Sequence, residues 1–556
     1  MLNIPLLNIF MEDILSKKIG KKIIFMGNEA IVRGALESGV QFVSTYPGTP
    51  SSEIGIVFFQ LTKKGLKVPY FEFSTNEKVA LEAGIGASFS GLKTLVAMKN
   101  FGLNVCSDAL LPFCYTGTRG PTVIIVADDP NCWSSAQSEE NSRPYAYLAH
   151  IPILEPSDSQ ECKDFVKLAF DISEKFNIPV MVRTTTRVAH QRGIVRLANL
   201  NLKKKEGKFI KNTRKFVTMP PRVLEMKKEL LEKIKKIKDL AEKSKINQIS
   251  KNSNISRSNL GVITSGISYL YVKEASKILN LNLPILKLGF FYPLPEKKIK
   301  NFIKDLKKVL IVEELEPFLE NEVERLAKDS NARLQILGKN LLLEVGELKP
   351  EYVTQALARF VGKKYKIPKS FLDFPKRFPQ LCPGCPYRFV LGGIKRAVNE
   401  QKVIFGGDIG CYMLAGLPPY YLQDYLSCMG SSIGIAHGIK KATDQKLITL
   451  IGDSTFFHAG IPALINTVFN KSNPLIIIMD NQTTAMTGHQ PHPGAPAENK
   501  GLKIEEIVSA CGVKNLKVID PVNSKEFEAT IKEFLNKKEA SVIIARHPCV
   551  FVAKRK

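Results

Sequence analysis

No apolar run in this 556-residue chain approaches the roughly 20 residues that cross a bilayer as a helix, so no membrane association is expected. The opening stretch, Met1 to Phe10, is apolar but carries no basic leader, and Glu12 and Asp13 follow at once. It does not read as a signal peptide; Met11 is an alternative start, and the expected location is the cytoplasm. Acidic residues are few against basic ones, 53 to 79, leaving a net charge of +26. The basic excess is scattered, without the aromatic-interleaved patch that single-strand binders use, so no nucleic-acid partner is expected. A positive surface of this kind could steer an acidic electron carrier. Ten cysteines in a long cytosolic chain argue against disulfides. Cys106, Cys114, Cys162 and Cys511 read as core thiols from their apolar or helical contexts.

What is present is alternation of strand and helix, which points to an α/β fold. From about Lys21 to Leu200, strand-like runs at Gln41–Ser44, Thr94–Met98, Thr122–Ala127 and Pro179–Arg183 alternate with helical patterns such as Glu29–Ser38 and Asn76–Ser88. Residues 201–259 become rich in Lys, Ser and Asn. Within them Pro221–Ser244 reads as a helix, because Leu224, Leu230, Leu231, Ile234, Ile237 and Leu240 recur at helical spacing. Residues 260–365 form a smaller α/β unit with strands at Gly261–Thr264, Pro284–Leu288 and Val309–Glu313. Residues 369–556 repeat the doubly wound pattern. The expectation is two doubly wound domains flanking a smaller α/β domain.

Gly452-Asp453-Ser454 and Asp480-Asn481-Gln482-Thr483 bracket a helix and the strand Leu475–Met479. That order brings Asp453 and Asn481 to the carboxyl ends of neighbouring parallel strands, where open α/β sheets bind ligands. One carboxylate, one amide oxygen and the Thr483 carbonyl make a hard-oxygen set suited to Mg²⁺ shared with a phosphate. The residue types and spacing resemble the thiamine diphosphate motif, with Ser454 in place of its second glycine.

A second constellation is Cys382-Pro383-Gly384-Cys385, Cys411 in Gly410-Cys411-Tyr412, and Cys549 after the last strand, Ser541–Ala545. Thiolates at such positions suit zinc or an iron–sulfur cluster, and a redox pair is a further reading of the C-x-x-C. All four fall in the domain that should hold the diphosphate, which favours a [4Fe–4S] cluster. Cys428 is a reserve fourth ligand.

Five segments together resemble one family: Gly27-Asn28-Glu29-Ala30, Tyr46-Pro47-Gly48-Thr49-Pro50-Ser51-Ser52, Leu381 to Pro386, Gly407 to Cys411, and Thr483 to Gly494. It is the family of alpha subunits of indolepyruvate:ferredoxin oxidoreductases, in the 2-oxoacid:ferredoxin oxidoreductase superfamily, and the likeness covers almost the whole chain. The resemblance implies two thiamine diphosphate-binding-type domains, 21–200 for the pyrimidine and 369–556 for the diphosphate, around a transketolase C-terminal-like domain at 260–365. It implies one [4Fe–4S] cluster on Cys382, Cys385, Cys411 and Cys549. It places Glu77 against the aminopyrimidine, where a carboxyl group favours the imino tautomer and makes the cofactor its own base; Glu82 is the alternative, and a first-turn helix acid is the structural reading of Glu77. Gly48 and Thr49 fall beside the thiazolium.

The activity so implied is oxidative decarboxylation of arylpyruvates, with coenzyme A accepting the acyl group and electrons leaving through the cluster to ferredoxin. A smaller beta subunit and a heterotetramer are the implied partners. Family members usually continue into a ferredoxin-like domain, whereas this sequence ends at Lys556, so the expectation is either a separate ferredoxin in its place or a truncated or divergent relative. Arg119 is a candidate clamp for the substrate carboxylate. Among the histidines His437, His458, His489 and His492, the first choice for a proton shuttle is His458. A non-redox thiamine decarboxylase would keep Glu77, Asp453 and Asn481 without needing the cysteines. An inactive scaffold is the reading from a different class.

Overall fold

The computed structural model describes residues 12–134, 137–250, 259–368, 378–398, 402–497 and 500–553. The apolar start with Met11, and the expected domain boundary at 369, lie outside them. The chain divides into two compact units, residues 1–371 and 372–556.

The first unit holds strands β1 to β14. β1 (Lys22–Met26) pairs antiparallel with β8 (Arg192–Arg196). The main sheet contains β2 (Phe42–Thr45), β3 (Tyr70–Phe73), β4 (Thr94–Lys99), β5 (Thr122–Asp128), β6 (Ile153–Leu154), β7 (Val180–Thr185) and β12 (Phe290–Tyr292). Its order is β12-β6-β7-β5-β4-β2-β3. All neighbours are parallel except β12, which runs antiparallel along β6. β4, β5 and β7 are buried along their whole length, as expected of parallel strands covered on both faces by helices. A second sheet is built from β9 (Gln248–Ile249), β10 (Leu260–Ser265), β11 (Ile285–Leu288), β13 (Lys308–Val312) and β14 (Gln335–Leu337), in the order β14-β13-β10-β11-β9.

The helix of the Lys-rich segment runs Arg222–Lys243 and buries Met226, Leu230, Ile234, Ile237 and Ala241. Steps of three and four put these on one face. Leu224 and Leu231 share the helical spacing read from the sequence but fall off that stripe and are exposed, at 68% and 39%; Met226 and Ala241 complete the stripe instead.

Arg143 ties the two sheets of this unit together. Its guanidinium donates to Glu155 (2.7 Å), which follows β6, to Glu313 (2.8 Å), which follows β13, and to Ser265 (2.9 Å) at the end of β10. Arg183 of β7 adds bonds to Asp128 and Glu155. Buried charge of this density survives only because nearly every lone pair is engaged.

The second unit has one parallel sheet of β15 (Val403–Gly406), β16 (Lys446–Gly452), β17 (Leu475–Asp480), β18 (Asn515–Ile519) and β19 (Ser541–Arg546), ordered β15-β16-β17-β19-β18. Chain order and spatial order part between β17 and β19. A crevice therefore opens at the carboxyl ends of the strands, the ligand position in such sheets. Among the described residues of both units, no helix is long and apolar enough to cross a membrane.

Candidate active site

In the second unit β16 and β17 run side by side with Gly452 opposite Met479. Asp453 and Asn481 therefore leave neighbouring strand ends at almost the same level. Asp453 is held rigidly. One carboxylate oxygen accepts from the Ser454 amide (2.8 Å), the other from the Gln482 amide (2.8 Å) and from His492 Nε2 (3.1 Å). Asn481 Oδ1 accepts from the Thr483 amide at 3.2 Å. Thr484 Oγ1 closes the loop onto Ser454 Oγ at 2.9 Å. A carboxylate and an amide oxygen fixed by main-chain donors, with the Thr483 carbonyl beside them, fit a hard cation. His458 is buried in the π-helical turn Phe456–Gly460, which follows the aspartate directly.

Asp480, the last residue of β17, is held above its ordinary range by burial and then by repulsion from Asp453. Its bond to Arg546 (2.6 Å) opposes both. Sequence reasoning named Asp480 only as part of the motif and missed its repulsion by Asp453.

The four motif cysteines come together in the same unit. Burial pushes the Cys411 thiol up to about 12, and the next contributions come from Cys385, Cys382 and Cys549. Cys385 is likewise raised by burial, then by Cys382 and Cys549. The C-x-x-C turn is closed by the Cys385 amide on the Cys382 carbonyl (3.1 Å). Gly384 sits in the left-handed region (φ 74°), and a Cβ there would lie 3.3 Å from Val550 Cγ1. The C-x-x-C loop thus packs on the segment that carries Cys549. Among the described residues no group of three or more His, Cys, Asp or Glu is arranged to hold a metal ion. Thiols gathered in one place are soft donors of the kind that zinc or an iron–sulfur cluster takes. Cys428 is exposed.

Two tyrosines join the cysteines to the aspartate, and sequence reasoning passed over both. Tyr387 and Tyr412 pack edge to face at 5.9 Å. Tyr387 donates to the Met479 carbonyl (3.3 Å) and Tyr412 to the Ile409 carbonyl (3.1 Å). Burial raises both phenols; Asp453 and then Cys411 act next on Tyr387. A Cβ on Gly452 would lie 2.8 Å from the Tyr412 ring, which explains the glycine before Asp453. Asp408 caps three main-chain amides, of Ile409 (2.7 Å), Gly430 (2.8 Å) and Ser432 (2.9 Å), and so fixes the loop that carries Cys411.

In the first unit the carboxyl ends of β2, β3 and β4 carry Gly48-Thr49, Glu77 and Lys99. Glu77 opens the helix Glu77–Phe89 and is buried, while the capping itself falls to Asn76, whose side chain accepts from the Val79 amide. Its side chain lies on Gly102, where a Cβ would be 2.5 Å from Glu77 Cγ. Glu82 is partly exposed and pairs with Lys78 at 3.8 Å. The Thr49 carbonyl accepts from Ser134 Oγ (2.9 Å) and the Pro50 carbonyl from Asn28 Nδ2 (2.7 Å). Asn28 also donates to Glu53 (2.7 Å), which pairs with His190 (3.3 Å). Burial pushes Glu53 up, but His190 outweighs it and holds the carboxyl below its ordinary range. The Gly27-Asn28-Glu29-Ala30 motif is thus a clamp on the loop that presents Thr49.

Arg119 is not at this edge. It precedes β5 and donates to the carbonyls of Phe89 and Lys208, at the amino ends of the strands. The candidate carboxylate clamp is therefore corrected: its cation secures the Lys-rich segment to the back of the sheet. His437 bonds Ser472 (2.8 Å), a structural contact, and the His489 ring packs at a tilt against Phe551, 5.6 Å between centroids.

Comparison with known proteins agrees with this division. Residues 33–251 match the family described as pyruvate flavodoxin/ferredoxin oxidoreductase, thiamine diphosphate-binding. Residues 408–545 match the C-terminal TPP-binding domain of thiamine pyrophosphate enzymes. The indolepyruvate oxidoreductase subunit IorA of Methanothermobacter thermautotrophicus is 44% identical over 97% of this chain and 89% of that protein. The subunit of the same name from Pyrococcus horikoshii is 42% identical over 97% of this chain and 87% of that protein. A solved 2-oxoglutarate:ferredoxin oxidoreductase from Magnetococcus marinus aligns over 61% of this chain and 65% of its own, at 17% identity and a TM-score of 0.49.

Proposed function

The chain belongs to the IorA family of indolepyruvate oxidoreductase subunits, and from that premise we propose that it is the thiamine diphosphate-bearing subunit of an enzyme that oxidatively decarboxylates arylpyruvates. Asp453, Asn481 and the Thr483 carbonyl would hold Mg²⁺ and with it the diphosphate; Gly452 and Ser454 shape that loop. Bound thiamine diphosphate supplies the carbanion chemistry that breaks the bond to the carboxylate. Glu77, buried against Gly102, is the carboxyl group for the pyrimidine. Gly48 and Thr49 form the loop that would lie beside the bound cofactor. His458, buried beside the metal loop, moves protons at the diphosphate end.

Cys382, Cys385, Cys411 and Cys549 would hold one [4Fe–4S] cluster, which supplies single-electron transfer. Coenzyme A would take the acyl group and ferredoxin the electrons. A smaller partner subunit, as the IorA name implies, would complete a heterotetramer. The observation that carries the redox reading is the joining of the two constellations: the Cys549 amide donates to the carbonyl of the metal-loop residue Asn481 at 3.0 Å. A non-redox decarboxylase has no use for four thiols in that place.

The test is anaerobic purification with the partner subunit, followed by analysis of iron, acid-labile sulfide and thiamine diphosphate. About four iron and four sulfide per chain, with arylpyruvate- and coenzyme A-dependent ferredoxin reduction, is the expected result. Thiamine diphosphate without iron, and release of arylacetaldehyde, would overturn it in favour of simple decarboxylation.

A further inference from the structure

With Arg119 at the far edge of the sheet, the substrate's carboxylate has no assigned partner, and among the described residues the carboxyl edge of the first unit offers Lys99, whose carboxylate neighbour stands 3.7 Å away. The other cations there are engaged. Arg187 is bidentate on Glu347 (2.7 and 2.9 Å), Arg183 lies on Asp128 and Glu155, and His190 is on Glu53. Lys99, the last residue of β4, is 8% exposed. Its ammonium donates to the Ser134 carbonyl (3.2 Å), rests 5.0 Å above the centre of the Phe101 ring and stands 3.7 Å from Asp129. Asp129 is already taken: one oxygen accepts from Ser134 N and Oγ (both 2.9 Å), the other from Thr186 Oγ1 (2.6 Å). Burial holds the Lys99 amine below its ordinary range, and Asp129 recovers only part of that loss. A bound anion would favour the charged form of the amine.

The neighbouring residue makes the same point independently. Asn100 is 1% exposed, and neither its Nδ2 nor its Oδ1 has a hydrogen-bond partner, a costly state for a buried amide. It is the first residue of the helix Asn100–Thr116, whose start has no side-chain cap, so first-turn amides and the positive end of the helix dipole are free for an anion. All of this lies against Gly48-Thr49: a Cβ on Gly48 would stand 2.9 Å from Lys99 Cβ.

We propose that Lys99 binds the carboxylate of the 2-oxoacid beside Thr49, with Asn100 and the uncapped start of its helix completing the anion site. The proposal rests on the thiamine reading of the Thr49 loop and supplies the substrate contact that reading leaves open. The site favours the substrate over its product, because loss of CO₂ removes the charge that Lys99 holds.

The experiment uses the holoenzyme with its partner subunit. The ligands are an aryllactate, which keeps the carboxylate but cannot lose CO₂ as a 2-oxoacid does, and its methyl ester. Calorimetry of wild type and Lys99→Met is expected to show aryllactate binding weakened about 10- to 100-fold, the range for a lost hydrogen bond to a charged group. Ester affinity and thiamine diphosphate content should stay unchanged, and Lys99→Arg should recover most of the aryllactate affinity. In turnover, KM for the arylpyruvate should rise by a similar factor with kcat little altered. Equal losses for acid and ester, or no loss for either, would overturn the proposal. Wild-type enzyme lacking thiamine diphosphate would overturn the parent reading as well, and cofactor analysis reads that failure separately.

Discussion

The main-chain amide of Cys549 donates to the carbonyl of Asn481. A thiol beyond the last strand and the amide residue that follows β17 are thereby fixed to each other through backbone alone. Side-chain replacement leaves that bond in place, so each constellation can be probed without dismantling the other.

Cys411→Ser should therefore drop iron from about four per chain to below one while thiamine diphosphate content stays near the wild-type value. Metal analysis and cofactor extraction on the same sample check both halves. Loss of both together would show that the cysteines support the fold of the loop and not a cluster.

Gly102 should tolerate no side chain. A Cβ there meets Glu77 Cγ at 2.5 Å, so Gly102→Ala must displace the carboxyl group or the helix. The expected fall in kcat is about 10²-fold or more, in the range for a mispositioned proton-transfer group. Gly86 lies on the helix that Glu77 begins, with nothing within 4 Å of an added Cβ. Gly86→Ala should leave kcat alone and add about 0.4–1 kcal/mol of stability. Steady-state rates and thermal melts of the two variants give the contrast.

Glu314 predicts a pH dependence. Burial raises its carboxyl from 4.5 to about 7; Arg183 opposes that, and Glu347 adds to it. The folded state then binds the proton more tightly than the unfolded chain. This contribution to stability is full below pH 4.5 and declines as pH rises through about 7. Glu314→Gln removes the decline. Denaturant melts of variant and wild type should diverge between pH 5 and pH 8, by on the order of 2–3 kcal/mol in the variant's favour at the higher pH. Parallel curves would refute the assignment.

Arg143→Met should destabilise the first unit by about 3–5 kcal/mol, because Glu155 and Glu313 would be left buried without their shared cation. Glu155 is held low by Arg143 and Arg183 against its own burial, so the loss should shrink in acid, where that carboxyl can be protonated. Thermal unfolding at two pH values measures both effects.

Much of the fold could be read from sequence because buried parallel strands announce themselves. Thr94–Met98 fell one residue short of the observed β4, and Thr122–Ala127 one short of β5. Asp453 and Asn481 were legible because their partners are main-chain amides, which any sequence supplies at a strand end. Arg119 was misplaced because its loop enters a strand and does not leave one, a distinction that a run of loop residues hides. Lys99 and Asn100 escaped notice for the opposite reason. One ends a buried strand and the other starts a helix, so each looks like ordinary boundary chemistry until the third dimension leaves the Asn100 amide without a partner beside a buried ammonium. Leu224 and Leu231 show the remaining weakness: periodicity names a helix well before it says which residues of that helix face inwards.

The edge strand β12 has a bearing on how this chain could be divided. It comes from the segment that follows β11 of the second sheet, yet it covers β6, whose residues Ile153 and Leu154 are fully buried. A fragment cut at the end of the Lys-rich segment would bare β6 along its length and offer an unpaired template to any other strand in solution. The first two sheets are thus a single hereditary parcel. Exchange between relatives, natural or engineered, should keep breakpoints out of residues 153–292, and chimaeras joined inside that interval should aggregate where those joined near residue 371 stay dispersed.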